Sequence, residues 1–224
     1  MPHLGSGRDV AAARYPPRVA PRAPLLLLLM AACKATPPPA PAGPATSVVA
    51  LALRTDPERE PHAGRPRQAY FVRLADDSDP MRQPEMLRSD FTADGVMFLL
   101  NAPPGRYAAV ACYGQGEGRE WTAYFPESLI RASEKQVPEG KAVLLGSFVM
   151  DLRSISTTGD AAQKHYMRVL WPDWEKKGAA LKLFTRDNHA WGGPWRDAGD
   201  ADDMVARMRK NLGPEWASRF EWRG

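Results

Sequence analysis

From Ser47 onward, short apolar runs alternate with clusters of turn-forming residues, the texture of β structure. The pattern predicts strands over Val48–Arg54, Ala69–Leu74, Val96–Leu100, Arg106–Tyr113, Thr122–Phe125 and Ala142–Leu152. The strongest hairpin signal is Phe98-Leu-Leu-Asn-Ala-Pro-Pro-Gly-Arg-Tyr107, where Pro104 presets φ for the second turn position and Gly105 supplies the positive φ of the third. Val137-Pro-Glu-Gly-Lys141 repeats the device. Pro126–Ser133 reads as a short helix with proline in its first turn.

The C-terminal part has a different period. In Asp200–Leu212, Met204, Met208 and Leu212 recur every four residues and make one apolar stripe. Asp200 stands where a cap is needed, Asp202 and Asp203 suit the positive end of the helix dipole, and Arg209 and Lys210 suit the negative end. Gly213-Pro214 stops the helix. A further turn over Glu215–Phe220 puts Trp216 and Phe220 on one face, ready to pack on a sheet. The expected fold is mainly β, an antiparallel β-sandwich with a C-terminal helical extension. The sandwich domain spans 47–152, and 153–224 supplies Trp-rich loops and a helix packed on it.

Before Thr46 no core pattern exists. Ten of the chain's 22 prolines lie there. Arg14, Arg18 and Arg22 precede the apolar Ala23–Ala32, a positive n-region followed by an h-region of ten residues. That is half of the roughly 20 residues a membrane-spanning helix needs. Residues 1–32 read as a signal peptide, although the stretch before Arg14 is long for one. Lys34–Thr46 is a Pro/Ala segment without periodicity, expected to extend as polyproline II at ~3.1 Å per residue, so that 33–46 forms a tether.

Leu29-Met30-Ala31-Ala32-Cys33 resembles the lipobox of bacterial lipoproteins, with small residues at both positions before the cysteine and Met30 in place of the usual leucine. The resemblance implies cleavage before Cys33, a diacylglycerol on its thiol and a lipid-anchored protein of the cell envelope. Lys34 rather than aspartate after the cysteine implies, by the same resemblance, the outer membrane. Separately, the Val96–Tyr113 segment with its Pro-Pro-Gly-Arg-Tyr core resembles a hairpin of transthyretin-like and carboxypeptidase-regulatory-like modules. This implies a prealbumin-like or Ig-like sandwich and carries over no catalytic residue.

Charge and chemistry narrow the function classes. The chain carries a net +4. Arg8, Arg14, Arg18 and Arg22 against Asp9 place +3 of that in residues 1–32, leaving a nearly balanced mature chain. Nucleic acid, which demands clustered cations against phosphates, is excluded as a partner. Of the two cysteines, Cys112 lies in Tyr107–Tyr113 and reads as a small core residue. Gly114-Gln-Gly-Glu-Gly-Arg119 misses the spacing of a phosphate loop and reads as a hairpin loop. Asp76-Asp-Ser-Asp79 fails as a calcium loop, because its later ligand positions fall on Met81 and Leu87.

No metal-ligand spacing, nucleophile elbow or cofactor motif is present in the mature chain, so no cofactor is implied and the chain reads as non-catalytic. The stretch that stands out is His189-Ala-Trp-Gly-Gly-Pro-Trp-Arg-Asp197, with Trp171-Pro-Asp-Trp174 upstream. Two uses are open. Trp171, Trp174, His189, Trp191, Trp195 and Arg196, held on loops by Gly and Pro, form a ligand platform for glycan, peptidoglycan or peptide. Alternatively the tryptophans wedge the C-terminal helix onto the sheet, as large aromatics usually do. A third class, an extracytoplasmic hydrolase, requires His165 or His189 in a pocket beside a carboxylate or hydroxyl. The expected role is a structural or protein-interaction module of the envelope.

Overall fold

The computed structural model describes residues 37–74, 85–152, 161, 164–165, 168–169, 189–218 and 222–223. Pro37–Gly224 forms one compact unit. The signal peptide, Cys33, the Asp76–Asp79 run, Trp171, Trp174 and Phe220 lie outside the described residues.

The strands are β1 (Ser47–Thr55), β2 (Arg65–Arg73), β3 (Glu85–Arg88), β4 (Phe91–Ala93), β5 (Val96–Ala102), β6 (Gly105–Gly116), β7 (Arg119–Tyr124), β8 (Lys135–Val137), β9 (Ala142–Met150), β10 (His189–Trp191), β11 (Trp195–Asp197) and β12 (Trp222–Arg223). Helix α1 (Glu127–Ala132) follows β7, and helix α2 (Ala201–Ala217) follows β11. Two sheets result, in the orders β11-β9-β1-β5-β4, with β12 also on β9, and β10-β7-β6-β2-β3, with β8 also on β6. The protein is mainly β with sandwich-like sheets.

The sheets are mixed rather than antiparallel. β1 pairs parallel with β9, β12 parallel with β9, and β10 parallel with β7. Parallel neighbours need long connections, and these three pairs join segments distant in sequence. β1 reads as an unbroken apolar run because it is buried on both faces, and a strand so covered loses its alternation. Val49, Leu51 and Leu53 of β1 join a core shared with Phe71, Ala109 and Tyr124 of the second sheet. Val48, Ala50 and Ala52 point the other way, into a separate core with Phe98, Leu144 and the α2 residues Met204, Met208, Leu212 and Trp216. Each of those large α2 side chains contributes roughly 1.5–3 kcal/mol by leaving water.

β9 keeps both cores supplied through a bulge. Ala50 pairs with Leu144 and Ala52 with Ser147, so β9 spends three residues where β1 spends two. The extra residue resets the alternation, and Leu145 and Phe148 both reach the inter-sheet core.

The expected hairpin at Phe98–Tyr107 does not form. β5 pairs with β1 and β4 in one sheet, while β6 pairs with β2, β7 and β8 in the other. The segment is a crossing between sheets, because Pro103 and Pro104 have no N–H to give a hairpin ladder. Tyr107 Oη donates to Pro103 O at 2.7 Å and Arg73 Nη2 to Pro104 O at 2.7 Å, which lock the corner. The true β4–β5 hairpin is the two-residue Asp94-Gly95 turn, both residues at positive φ (48° and 79°), the type I′ signature.

Helix α1 interrupts a strand-like run along β6. β7 pairs with Ala111–Gly116 and β8 with Gly105–Tyr107. Between them Ser133 Oγ accepts from Ala109 N at 2.9 Å, standing in for the ladder where the chain leaves to form the helix. Helix α2 extends past the expected stop. Gly213 kinks it (φ 75°) and helical structure resumes to Ala217, which buries Trp216 beside Leu212.

Residues 37–46, in the expected tether, lie against the body. Trp216 Nε1 donates to Pro39 O at 2.8 Å. Asn101 Oδ1 accepts from Ala42 N at 2.6 Å, and Asn101 Nδ2 donates to Ala40 O at 3.2 Å.

Candidate functional site

The Trp-rich stretch is not a set of loops. His189–Trp191 is β10 at the edge of the second sheet, with His189 opposite Thr122 and Trp191 opposite Tyr124. Trp195–Asp197 is β11 in the first sheet, with Trp195 opposite Met150, Arg196 opposite Val149 and Asp197 opposite Phe148. Gly192, Gly193 and Pro194 carry the chain from one sheet to the other. The whole stretch is a clasp across the open side of the sandwich, and the C-terminal part of the chain supplies strands to both sheets rather than only packing on them.

The clasp is fastened through the backbone. Gly192 N donates to Tyr124 O at 2.8 Å on β7, and Gly193 N donates to Asp151 O at 2.7 Å beyond β9. Asp151 N returns a bond to Pro194 O at 2.9 Å, and Ala198 N donates to Ser147 O at 2.9 Å. Gly and Pro are therefore present for geometry. A Cβ on Gly192 would stand 2.5 Å from Met150 Sδ and 2.9 Å from Tyr124 O, so no other residue fits unshifted.

Trp195 is half-buried. Its ring meets Phe148 edge-on with centroids 5.1 Å apart and planes at 85°, the geometry an aromatic pair prefers. Its Nε1 donates to Ser128 Oγ on α1 at 2.9 Å. The indole thus braces helix α1, which follows β7 of the second sheet, against β9 of the first. Arg196 is exposed on β11. The structure brings His189, Trp191, Trp195 and Arg196 onto two short strands of one clasp, with positions described for the backbone alone at His189 and Trp191. Trp171 and Trp174 fall outside the described residues.

A buried acid lies under the clasp. Asp151, only 7% exposed in its side chain, pairs with Arg59 Nη1 at 3.0 Å. Its carboxylate, by hydrogen bond and then by charge, raises the Arg59 pKa. Burial, and then the Asp151 charge, raises the Glu60 carboxyl. The one sequence signal for Asp151 is a lone carboxylate directly after the apolar Val149-Met150.

The remaining expected chemistry resolves structurally. Cys112 is fully buried on β6, and burial pushes its thiol far above the ordinary range. Gly114 and Gly116 belong to the β6–β7 hairpin. Gly114 lies under the Trp121 ring and Gly116 against the His62–Ala63 backbone, close approaches only glycine permits. His165 is half-buried near α1. Burial lowers its pKa, against the opposing Glu127 charge and a hydrogen bond with the Phe125 backbone. Among the described residues no group of three His, Cys, Asp or Glu is placed to hold a metal ion, and no helix is long and apolar enough to cross a membrane.

No family of known proteins matches the chain, and neither does any curated protein or solved structure.

Proposed function

We propose that this protein is a lipid-anchored lipoprotein of the bacterial envelope, held by a diacylglycerol on Cys33, whose mainly β domain is a non-catalytic structural or protein-interaction module. The anchor rests on one observation, the Leu29-Met30-Ala31-Ala32-Cys33 box at the end of an Arg-flanked apolar stretch. Sorting to the outer membrane follows from Lys34 in the same reading.

The structural reading of the domain draws its support from the clasp. Of the residues that offer a ligand platform in the sequence, His189, Trp191, Trp195 and Arg196 spend their backbone on pairing with the two sheets, and Trp195 spends its indole N–H on Ser128. A sugar-stacking site needs an aromatic face and neighbouring polar groups left over for ligand. Arg196 is the one clasp side chain described as both exposed and cationic, and it alone favours the glycan-binding reading.

The test is detergent phase partitioning of the protein from a lipoprotein-processing bacterium beside Cys33→Ser. The wild type is expected in the detergent phase and the variant in the aqueous phase. Equal partitioning to the aqueous phase contradicts the anchor.

A further inference from the structure

We propose that Asn101, at the end of β5, and Trp216, on α2, form a recognition groove for extended proline-rich peptide, occupied in the resting chain by its own residues 37–42. The proposal does not depend on the lipid at Cys33.

Three contacts define the groove, and all of them read backbone. Trp216 Nε1 donates to Pro39 O at 2.8 Å. The Asn101 amide makes a two-way contact, with Nδ2 donating to Ala40 O at 3.2 Å and Oδ1 accepting from Ala42 N at 2.6 Å. Asn101 holds that pose at φ 54°, in the left-handed region that asparagine tolerates better than most residues. Trp216 itself is 1% exposed, with its ring in the core that includes Leu212 and Ala142 and its N–H covered by the segment.

The segment has the shape such a groove selects. In Pro37-Pro38-Pro39-Ala40-Pro41-Ala42 the half-buried residues are Pro38 and Pro41, while Pro37, Pro39, Ala40 and Ala42 are exposed. Burial every third residue is the period of a polyproline II helix. Prolines offer carbonyls and no competing N–H, so a donor indole and an amide that spans two residues match what the strand presents. Side-chain identity enters through the half-buried Pro38 and Pro41, and through Ala42, whose N–H bond to Asn101 excludes proline there. Proline-rich recognition in general relies on this low-entropy conformation and on aromatic-lined grooves.

The groove's ligand class is therefore a partner's proline-rich extended segment, and the chain's own segment is a tethered competitor. A segment joined to its site acts at an effective concentration on the order of millimolar. A groove dissociation constant about tenfold below that concentration keeps the site filled in cis, and a partner segment displaces it by binding more tightly or by multivalency.

The experiment follows the Trp216 indole ¹H–¹⁵N resonance in the full chain, assigned with Trp216→Phe. Pro38→Gly with Pro41→Gly is expected to shift that resonance and no other indole. A synthetic peptide of residues 37–43, added to about 5 mM, the effective-concentration scale, is expected to restore it in the double variant. Wild type, already filled, is expected not to respond at that concentration. Adding Asn101→Ala to the double variant should weaken the peptide about tenfold, the loss of roughly one good hydrogen bond. A peptide that leaves the resonance unmoved, or binds equally with Asn101→Ala, overturns the proposal. If the glycine pair fails to fold, Pro38→Ala with Pro41→Ala takes its place, with the same expected shift and the same overturning results.

Discussion

Gly192 of the clasp and Met150 of β9 meet so closely that a Cβ on the glycine would stand 2.5 Å from the methionine sulfur. Tyr124 O closes the other side at 2.9 Å. Met150 can yield a little, but the β7 backbone cannot. Gly192→Ala is therefore expected to destabilise by about 1–3 kcal/mol, the usual cost of overpacking a filled site. Thermal unfolding followed by near-UV circular dichroism checks this, and an unchanged Tm would mean that the clasp is not packed against β9.

Ser147 and Asp200 tie the start of α2 to the bulge in β9. Ser147 Oγ donates to Asp200 Oδ1 at 2.6 Å, and Arg54 Nη1 lies 4.0 Å from Oδ2. The Asp200 side chain makes no cap bond to its own helix, so its carboxylate serves the sheet. Ser147→Ala is expected to cost about 1–2 kcal/mol, a lost hydrogen bond to a charged group that water partly replaces. A Tm lower by about 2–8 °C is the expected reading.

Cys112 is expected to be inert in the folded chain. Its side chain is fully buried on β6 between β2 and β7, and burial disfavours the thiolate that reacts. In Cys33→Ser, a chromogenic disulfide reagent at mildly alkaline pH should find no thiol in the native protein and one in denaturant. Rapid native labelling would remove Cys112 from the core.

His165 sets a pH dependence. Burial lowers its pKa and Arg168 adds to the lowering, while the Glu127 charge and the Phe125 hydrogen bond oppose it. With the folded pKa below the unfolded one, the unfolded chain binds the proton more readily between the two values. Stability from this group is present above about pH 6.5 and is lost as pH falls through the folded pKa. Denaturant midpoints should fall on acidification through that window, and the fall should be smaller in His165→Gln. Identical pH profiles for the two proteins would contradict this.

Local signals in the sequence are legible and long-range ones are not. All six expected strands are present, since apolar runs bounded by turn residues depend on near neighbours. The Met204, Met208 and Leu212 stripe packs on a sheet as its period demands. The pairings β1–β9 and β7–β10 are illegible, because no local pattern states which distant strand lies alongside. The Pro-Pro-Gly corner carries hairpin chemistry yet crosses between sheets, while the Asp94-Gly95 turn makes the hairpin that the corner does not. At the candidate site, Gly and Pro between tryptophans suggest loops. The same residues permit a tight passage from sheet to sheet, where Gly192 has room for nothing else. Trp216 and Asn101 are not legible as a pair, being 115 residues apart and joined only by the segment they hold.

Whether Cys33 carries the lipid is tested most directly by the intact mass of the protein purified from a lipoprotein-processing bacterium. The expected mass is that of a chain beginning at Cys33 plus diacylglycerol, with the acyl mass absent from Cys33→Ser. A wild-type chain of unmodified mass, retaining residues before Cys33 or cut elsewhere, would contradict the anchor and return Cys33 to an ordinary thiol.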